Sequence, residues 1–313
     1  LPDSAYICGK YSLNLEKTIR IATRGSRLAL WQAHYTQNLL RDIGIDSELL
    51  IVKTKGDAIQ DLSFDKIEGK GFFTKEIEDA LLRQEADMAV HSMKDLPTTS
   101  PEGLVLTAVS YRANPADCLI IHPKAIQEGP LFQLKPGAVV GTSSARRKAQ
   151  MLDFRPDIQL KDIRGNVPTR LDKLRNGDFD AILLAAAGLE RLEIEPEDLR
   201  VVRFNPREFV PAPAQGVLAF QTRTDDVELR RALKRIHRAD VAQATNVERK
   251  VLQLAGGGCH MPLGVYCELD LQGNYHVWAA KATDWDKPLQ RAHISSSTTF
   301  ELAESVLKAL ELK

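Results

Sequence analysis

Short apolar runs bounded by glycine, serine and charge alternate along most of this chain with segments whose apolar residues recur every three or four positions. The first pattern predicts buried strands and the second amphipathic helices. Residues 18–24 (TIRIATR) read as a strand. Gly25-Ser26 follow, then a helix with an apolar face of Leu28, Trp31, Tyr35 and Leu39 that Gly44 ends. A second strand spans 48–54. After it a loop holds Lys66 and Glu68-Gly69-Lys70-Gly71, ahead of a helix over 72–82. The loop lacks the P-loop pattern and reads as a mobile segment with solvated lysines. A short buried strand at 86–90 runs into His91-Ser92-Met93-Lys94-Asp95-Leu96-Pro97. Polar groups at the carboxyl end of a parallel strand stand where open α/β sheets bind ligands. Taken singly, His91 and Lys94 also read as structural or solvated groups, and Asp95 as a turn or N-cap aspartate.

The second half repeats the plan. A strand at 138–140 enters Gly141-Thr142-Ser143-Ser144 and an Ala- and Arg-rich helix. A strand at 158–163, an Arg164-Gly165-Asn166 turn, a helix at 168–176 and a strand at 179–185 follow. Asp87-Met88-Ala89-Val90 and Asp180-Ala181-Ile182-Leu183 hold equivalent places, which predicts two similar α/β lobes with parallel pairing and right-handed crossovers. Connections near 110–115 and 205–213 join the lobes, and 215–221 reads as a strand returning to the first. Two lobes with two crossings make a cleft that can hinge. The tail differs: a helix at 240–254, strands at 263–271, 275–282 and 289–296 with a turn at Gln272-Gly273-Asn274, and a helix at 299–312 predict a small α+β domain.

Composition adds exclusions. With 313 residues, 43% hydrophobic and 27% charged, the chain is an ordinary globular one. Its 42 basic and 42 acidic residues cancel, so no global field draws nucleic acid or membrane, and neither is expected as a partner. No apolar run approaches a spanning helix, and residues 1–12 lack a basic start followed by an apolar stretch. A cytoplasmic protein is expected, although a chain starting at Leu1 leaves open an upstream segment with an organelle address. Cys8, Cys118, Cys259 and Cys267 show no C-x-x-C spacing, and reduced thiols and no metal site are expected. Cys267 alternates with Leu263, Val265, Leu269 and Leu271 and is assigned to the core. Cys259 follows three glycines in a loop and is the thiol presented for chemistry.

Charge is concentrated locally. Residues 141–170 carry Arg146, Arg147, Lys148, Arg155, Lys161, Arg164 and Arg170 against Asp153, Asp157 and Asp162. A strand, a Thr/Ser turn and a helix opening on two arginines form an anion-binding corner, and guanidinium groups suit carboxylates or phosphates. An isolated RRK run reads also as a solvated basic face. Arg24 and Ser26 repeat the corner in the first lobe.

Taken together, several segments closely resemble the porphobilinogen deaminase (hydroxymethylbilane synthase) family: IATRGSRLALWQA at 21–33, EGKGFFTKEIEDALL at 68–82, ADMAVHSMKDLP at 86–97, VVGTSSARR at 139–147, IRGNVPTRL at 163–171, AILLAAAGLERL at 181–192, PAPAQG at 211–216 and GGGCHMPLG at 256–264. The resemblance implies an α/β fold of two periplasmic-binding-protein-like lobes with hinge crossings plus a small C-terminal α+β domain. Domain 1 would comprise 15–112 and 214–236, domain 2 113–213 and domain 3 237–313. It further implies an enzyme, working as a monomer, that condenses four porphobilinogen molecules head to tail with loss of ammonia and releases hydroxymethylbilane by hydrolysis. The primer would be a dipyrromethane cofactor held by a thioether to Cys259. By the same resemblance Asp95 is the catalytic carboxylate. Lys94, Ser92, Thr142, Ser144, Arg146, Arg147 and Arg164 would contact the cofactor, with Arg24, Ser26, Arg164, Arg170, Arg191 and Gln215 on the substrate. Lys66, Lys70 and Phe73 would lie on a lid.

Glu68 departs from the family's usual glycine, Ala145 from a common leucine, and His260 is an uncommon neighbour of the cysteine. A non-catalytic two-lobed binder of anionic ligands would explain the lobes, hinge and anion corners, but not the third domain or its Gly-Gly-Cys loop. A cysteine-nucleophile transferase using Cys259 with His91 or His260 would need a base oriented by a third group, which the sequence does not supply.

Overall fold

The computed structural model describes residues 17–54, 74–258 and 261–311. In the first lobe, β1 (Ile19–Thr23), β2 (Ser47–Ile51), β3 (Met88–Ser92) and β4 (Leu104–Val109) accompany helices α1 (Arg27–Asp42) and α2 (Lys75–Leu82). The second lobe holds β5 (Asp117–Ile121), β6 (Val139–Gly141), α3 (Ala145–Phe154), β7 (Gln159–Lys161), α4 (Val167–Arg175), β8 (Ala181–Ala185), α5 (Ala186–Arg191) and β9 (Arg200–Arg203). The chain then returns through β10 (Leu218–Arg223) and α6 (Val227–Leu233). Helix α7 (Ala239–Leu254), β11 (Leu263–Leu269), β12 (Tyr275–Lys281), β13 (Gln290–Ser296) and α8 (Leu302–Glu311) complete it. Among the described residues, no helix is long and apolar enough to cross a membrane.

Alternation along the strands feeds two faces of each sheet. Cys118, Ile120, Ile182 and Leu184 pack with Leu171, Leu174 and Leu189 on one face of the second sheet. Leu119, Ile121 and Leu183 meet Met151, Phe204 and Phe209 on the other. The two sheets share one plan, β2-β1-β3-β10-β4 and β7-β6-β8-β5-β9. The expected parallel pairing holds for β1 with β2 and β3, and for β6 with β7 and β8. It fails for β5 and β10, which run antiparallel to both neighbours. Each enters its sheet from the other lobe, so each arrives pointing the opposite way. Strands β4, β5 and β9 and helices α5 and α6 were not anticipated from the sequence, and β3 lies two residues beyond the expected strand at 86–90.

The matched aspartates do the same job in both lobes. Asp87 accepts from the Arg20 backbone N–H (2.9 Å) and Asp180 from that of Val139 (2.9 Å), each carboxylate closing the start of a neighbouring strand.

Helix α1 shows a rotated face. Gln32, Ala33, Thr36 and Leu40 are buried, whereas Leu28, Trp31, Tyr35 and Leu39 of the expected apolar stripe are half-buried. Gln32 is accommodated because its side-chain amide donates to Ser92 Oγ (2.8 Å). Trp31 stacks on Tyr35 with centroids 5.5 Å apart, and Tyr35 meets Tyr111 of the first crossing edge-on at 5.6 Å. The stripe thus faces the hinge as well as its own sheet.

The third sheet, β11-β12-β13, is antiparallel throughout and packs against α7 and α8, with Cys267 in its core as expected. Burial pushes that thiol up to about 12. Glu248 of α7 fastens this unit to both crossings. Its buried carboxylate accepts from Arg112 (2.6 and 3.2 Å), from the Ala214 N–H (2.6 Å) and from the Cys267 N–H (2.8 Å). The crossings also hold each other, through Ala113 N–H to Gly216 O (3.0 Å). Gly216 sits at φ +91°, and a Cβ there would lie 2.4 Å from the Ala113 carbonyl oxygen, so only glycine fits.

Removing Glu248 strands a largely buried guanidinium and two amides. Glu248→Ala is expected to cost about 3–5 kcal/mol of unfolding free energy, measured by urea denaturation.

Candidate active site

The turn after β3 is a single 3-10 turn, Met93–Asp95, stopped ahead of Pro97. It buries Met93, half-buries Lys94 and leaves Asp95 exposed. Asp95 has no hydrogen-bond partner among the described residues. Lys94 Nζ donates to Gln215 Oε1 (3.4 Å). Burial pulls its ammonium down to about 8, opposed by Asp95 and Asp117 and assisted by Arg147 and Arg146. His91, one register step back in β3, is buried against Gln221 (3.0 Å). Burial pulls it down to about 4, so it is a neutral core group.

Gln215 carries the link into the second lobe. Its amide donates to the carbonyl of Pro115 (2.7 Å) and to Asp117 Oδ1 (3.0 Å). Asp117 opens β5 as the charged end of an otherwise apolar strand, and receives both arginines of the RRK run. Arg146 Nη1 reaches Oδ2 at 2.6 Å; Arg147 reaches Oδ1 through Nη2 (2.6 Å) and Nε (3.1 Å). The two guanidinium groups also donate to Val210 O (2.9 Å) and Leu183 O (3.0 Å). Both guanidinium groups are buried, each shared between Asp117 and a backbone carbonyl. Asp117 was missed in the sequence, where the signal was a lone carboxylate leading the run DCLII.

The predicted hydroxyls sit at helix starts. Ser144 caps α3, accepting from the Arg147 N–H (3.5 Å), and Ser26 caps α1 through Ala29 (3.3 Å). Thr142 Oγ1 accepts from the Ser144 N–H (3.3 Å). A hydroxyl that accepts in this way keeps its own O–H to donate to an anion. Ser92 accepts from Gln32, and Arg24 is half-buried just beyond β1.

Arg164 and Arg170 gather beside Arg147. Burial, then the charges of Arg147 and Arg164, pulls Arg170 down to about 10. Its Nε is fixed on Gly165 O (2.7 Å). The three guanidinium groups thus lie close enough to repel one another beside the Asp117 network. Arg191 is engaged at the hinge instead. It donates to Gly216 O (2.7 Å), lies 5.7 Å from the Trp31 ring centroid, and keeps a buried Nε with no hydrogen-bond partner among the described residues. Cys259, Lys66, Lys70 and Phe73 lie outside the described residues, as do Glu68 and His260. No cluster of three metal-ligating side chains occurs among the described residues.

Burial by itself raises Asp117, but the charges and hydrogen bonds of Arg146 and Arg147 override it and hold the carboxyl well below the usual range. A depressed pKa gives stability that is complete above the unfolded value of about 3.9 and is lost as pH falls below it. Asp117→Asn is therefore expected to be less stable by a constant margin above about pH 4, narrowing only in stronger acid, as read by denaturation at a series of pH values.

A family model described as "Porphobilinogen deaminase, dipyromethane cofactor binding domain" matches residues 19–231. Proteins named porphobilinogen deaminase from Nitratiruptor sp. and Maridesulfovibrio salexigens are 47% and 44% identical, over 80% and 81% of this chain and 79% and 81% of theirs. One from Francisella tularensis subsp. novicida is 40% identical over 90% of this chain and 93% of its own. Among solved structures, an ancestral arginine-binding protein bound to arginine overlays 70% of this chain and 90% of its own at 15% identity and a TM-score of 0.40, too loosely to bear on chemistry.

Proposed function

This chain belongs to the porphobilinogen deaminase family, and from that membership we propose that its cleft joins porphobilinogen units head to tail, releasing ammonia at each addition and hydroxymethylbilane at the end. It is a transferase that uses a dipyrromethane cofactor. When bound, that cofactor supplies the pyrrole primer to which new rings are added. The observation that carries the reading is the arginine cluster: the charges of Arg147 and Arg164 press on Arg170, whose guanidinium burial and that repulsion together pull down to about 10. Each pyrrole ring of the substrate bears an acetate and a propionate, so these residues fit a growing polyanion.

In this reading Arg164 and Arg170 grip ring carboxylates, while Arg146 and Arg147, held by Asp117, present their field and remaining N–H groups to the same anions. Thr142, Ser144 and Ser26 donate O–H groups from the two helix starts, whose backbone dipoles also favour negative charge. Lys94, Ser92 and Arg24 line the cleft between the corners. Gln215 holds Lys94 in line with the second lobe, and the unmet Arg191 Nε waits at the hinge for a substrate carboxylate.

Asp95 is the catalytic group. Loss of ammonia from porphobilinogen leaves a cationic ring, and a carboxylate beside its N–H stabilises that charge and can accept a proton during coupling. A unit charge pair about 4 Å apart is worth about 1 kcal/mol in water and about 4 kcal/mol where the effective dielectric is about 20. Lying exposed, Asp95 gains most once substrate excludes water. Cys259 carries the thioether tether, and Lys66, Lys70 and Phe73 belong to the lid. We further read the protein as a cytoplasmic monomer with no nucleic-acid or membrane partner.

Protein purified from cells competent in pyrrole synthesis is expected to exceed its sequence mass by a two-pyrrole adduct, and Cys259→Ala to lack it. An unmodified wild type would refute the tether. Asp95→Ala is expected to keep the fold and the adduct yet lose turnover, assayed as hydroxymethylbilane formation; near-normal product would remove Asp95 from its role.

A further inference from the structure

Arg249 follows Glu248 on α7 and reaches into the first lobe. Its Nη1 donates to the carbonyl oxygens of Met93 (3.1 Å) and Leu96 (3.2 Å), and its Nη2 to that of Pro97 (2.6 Å). These three carbonyls bracket the turn that bears Lys94 and Asp95. Backbone ties within and behind that turn are Met93 N–H to Val217 O (2.9 Å) and a long Leu96 N–H to Met93 O (3.3 Å). The Asp95 side chain itself is unanchored among the described residues, so its position is inherited from the backbone that Arg249 holds.

The same helix leads to the tether. It ends at Leu254, and the Gly257 N–H bonds back to Leu252 O (3.0 Å). A Cβ on Gly257 would sit 2.6 Å from Leu252 Cδ1, so the glycine loop lies tight against the helix end, two positions before Cys259. One rigid element therefore touches the carboxylate-bearing turn at Arg249 and feeds the cysteine loop ten residues later. A planar fork with donors in two directions suits three diverging carbonyls, which a single ammonium cannot all reach.

We propose that Arg249 is a positioning residue for the reaction, holding the Met93–Asp95 turn against the helix that leads to Cys259 so that Asp95 stays aligned with the tethered pyrrole. This rests on the roles given above to Asp95 and Cys259. A displacement of about 1 Å at a reacting group can cost on the order of 100-fold in rate.

The test uses the full chain carrying its cofactor, with the adduct verified by intact mass. Arg249→Leu is expected to lower kcat about 10- to 100-fold while KM for porphobilinogen changes by less than about 2-fold, and Arg249→Lys to recover part of the loss. Placed in Asp95→Ala, Arg249→Leu is expected to lower the residual rate no further, because the group it positions is gone. A purely structural role would add its full cost there. Unchanged kcat, a loss carried by KM, or full additivity with Asp95→Ala overturns the proposal. If Arg249→Leu does not accumulate folded, Arg249→Lys is put through the same comparison, with an intermediate loss expected. Near-normal turnover in Asp95→Ala alone would overturn the reading of Asp95, and Arg249's role with it, whereas a dead Asp95→Ala beside a fully active Arg249→Leu sinks only the latter.

Discussion

One carboxylate held between two guanidinium groups in a dry seam sets the terms for the rest of the molecule. Asp117 starts a strand that has just crossed from the first lobe, its arginines open a helix of the second, and Gln215, on the returning crossing, ties it to Lys94. A buried ion pair of this kind recovers its desolvation cost only when its hydrogen bonds are well made. Here they are, through Val210 and Leu183 as well as Asp117. One negative charge against two positive ones leaves a local excess, and Arg170 lies within reach of Arg147's share of it. In a chain whose total charge is zero, the anion affinity proposed above would come from relief of repulsion at one place, with no long-range field to assist it.

The third unit is more than an appendage on this design. Glu248 ties it to both crossings and Arg249 to the turn bearing Asp95. Consecutive residues on one helix thus set the hinge and the turn together. Movement of the lobes, with Trp31, Tyr35, Tyr111 and Arg191 packed around the pivot, would be felt at α7.

Much of this was legible in the sequence, for local reasons. Strand, hydroxyl turn and helix follow one another within a few residues, so the two strand–turn–helix corners and the Asp87/Asp180 repeat could be read from periodicity and turn chemistry. The tail's three strands alternate cleanly and were placed within two residues of their ends. What escaped depends on distant partners. Strand β5 is buried on both faces, so its run shows no alternation to identify it. The direction of β5 and β10 follows from which lobe each one comes from. The roles of Asp117, Gln215, Glu248 and Arg249 lie in bonds to residues far along the chain, though a carboxylate on the apolar stripe of Ala244, Val247 and Val251 was a visible anomaly. The α1 stripe misled because the hinge, rather than the sheet alone, needed its aromatic residues.

The position of β10 also bears on how the protein is made. Strands β3 and β4 never pair with each other; both pair with residues 218–223. During vectorial synthesis the first lobe must wait, with two open strand edges, until more than a hundred further residues have left the ribosome. The second lobe has its last strand once Arg203 is made, before β10 begins at Leu218. The order of completion therefore inverts the order of synthesis, and the nascent first lobe is the natural client for a chaperone that shields unpaired edges.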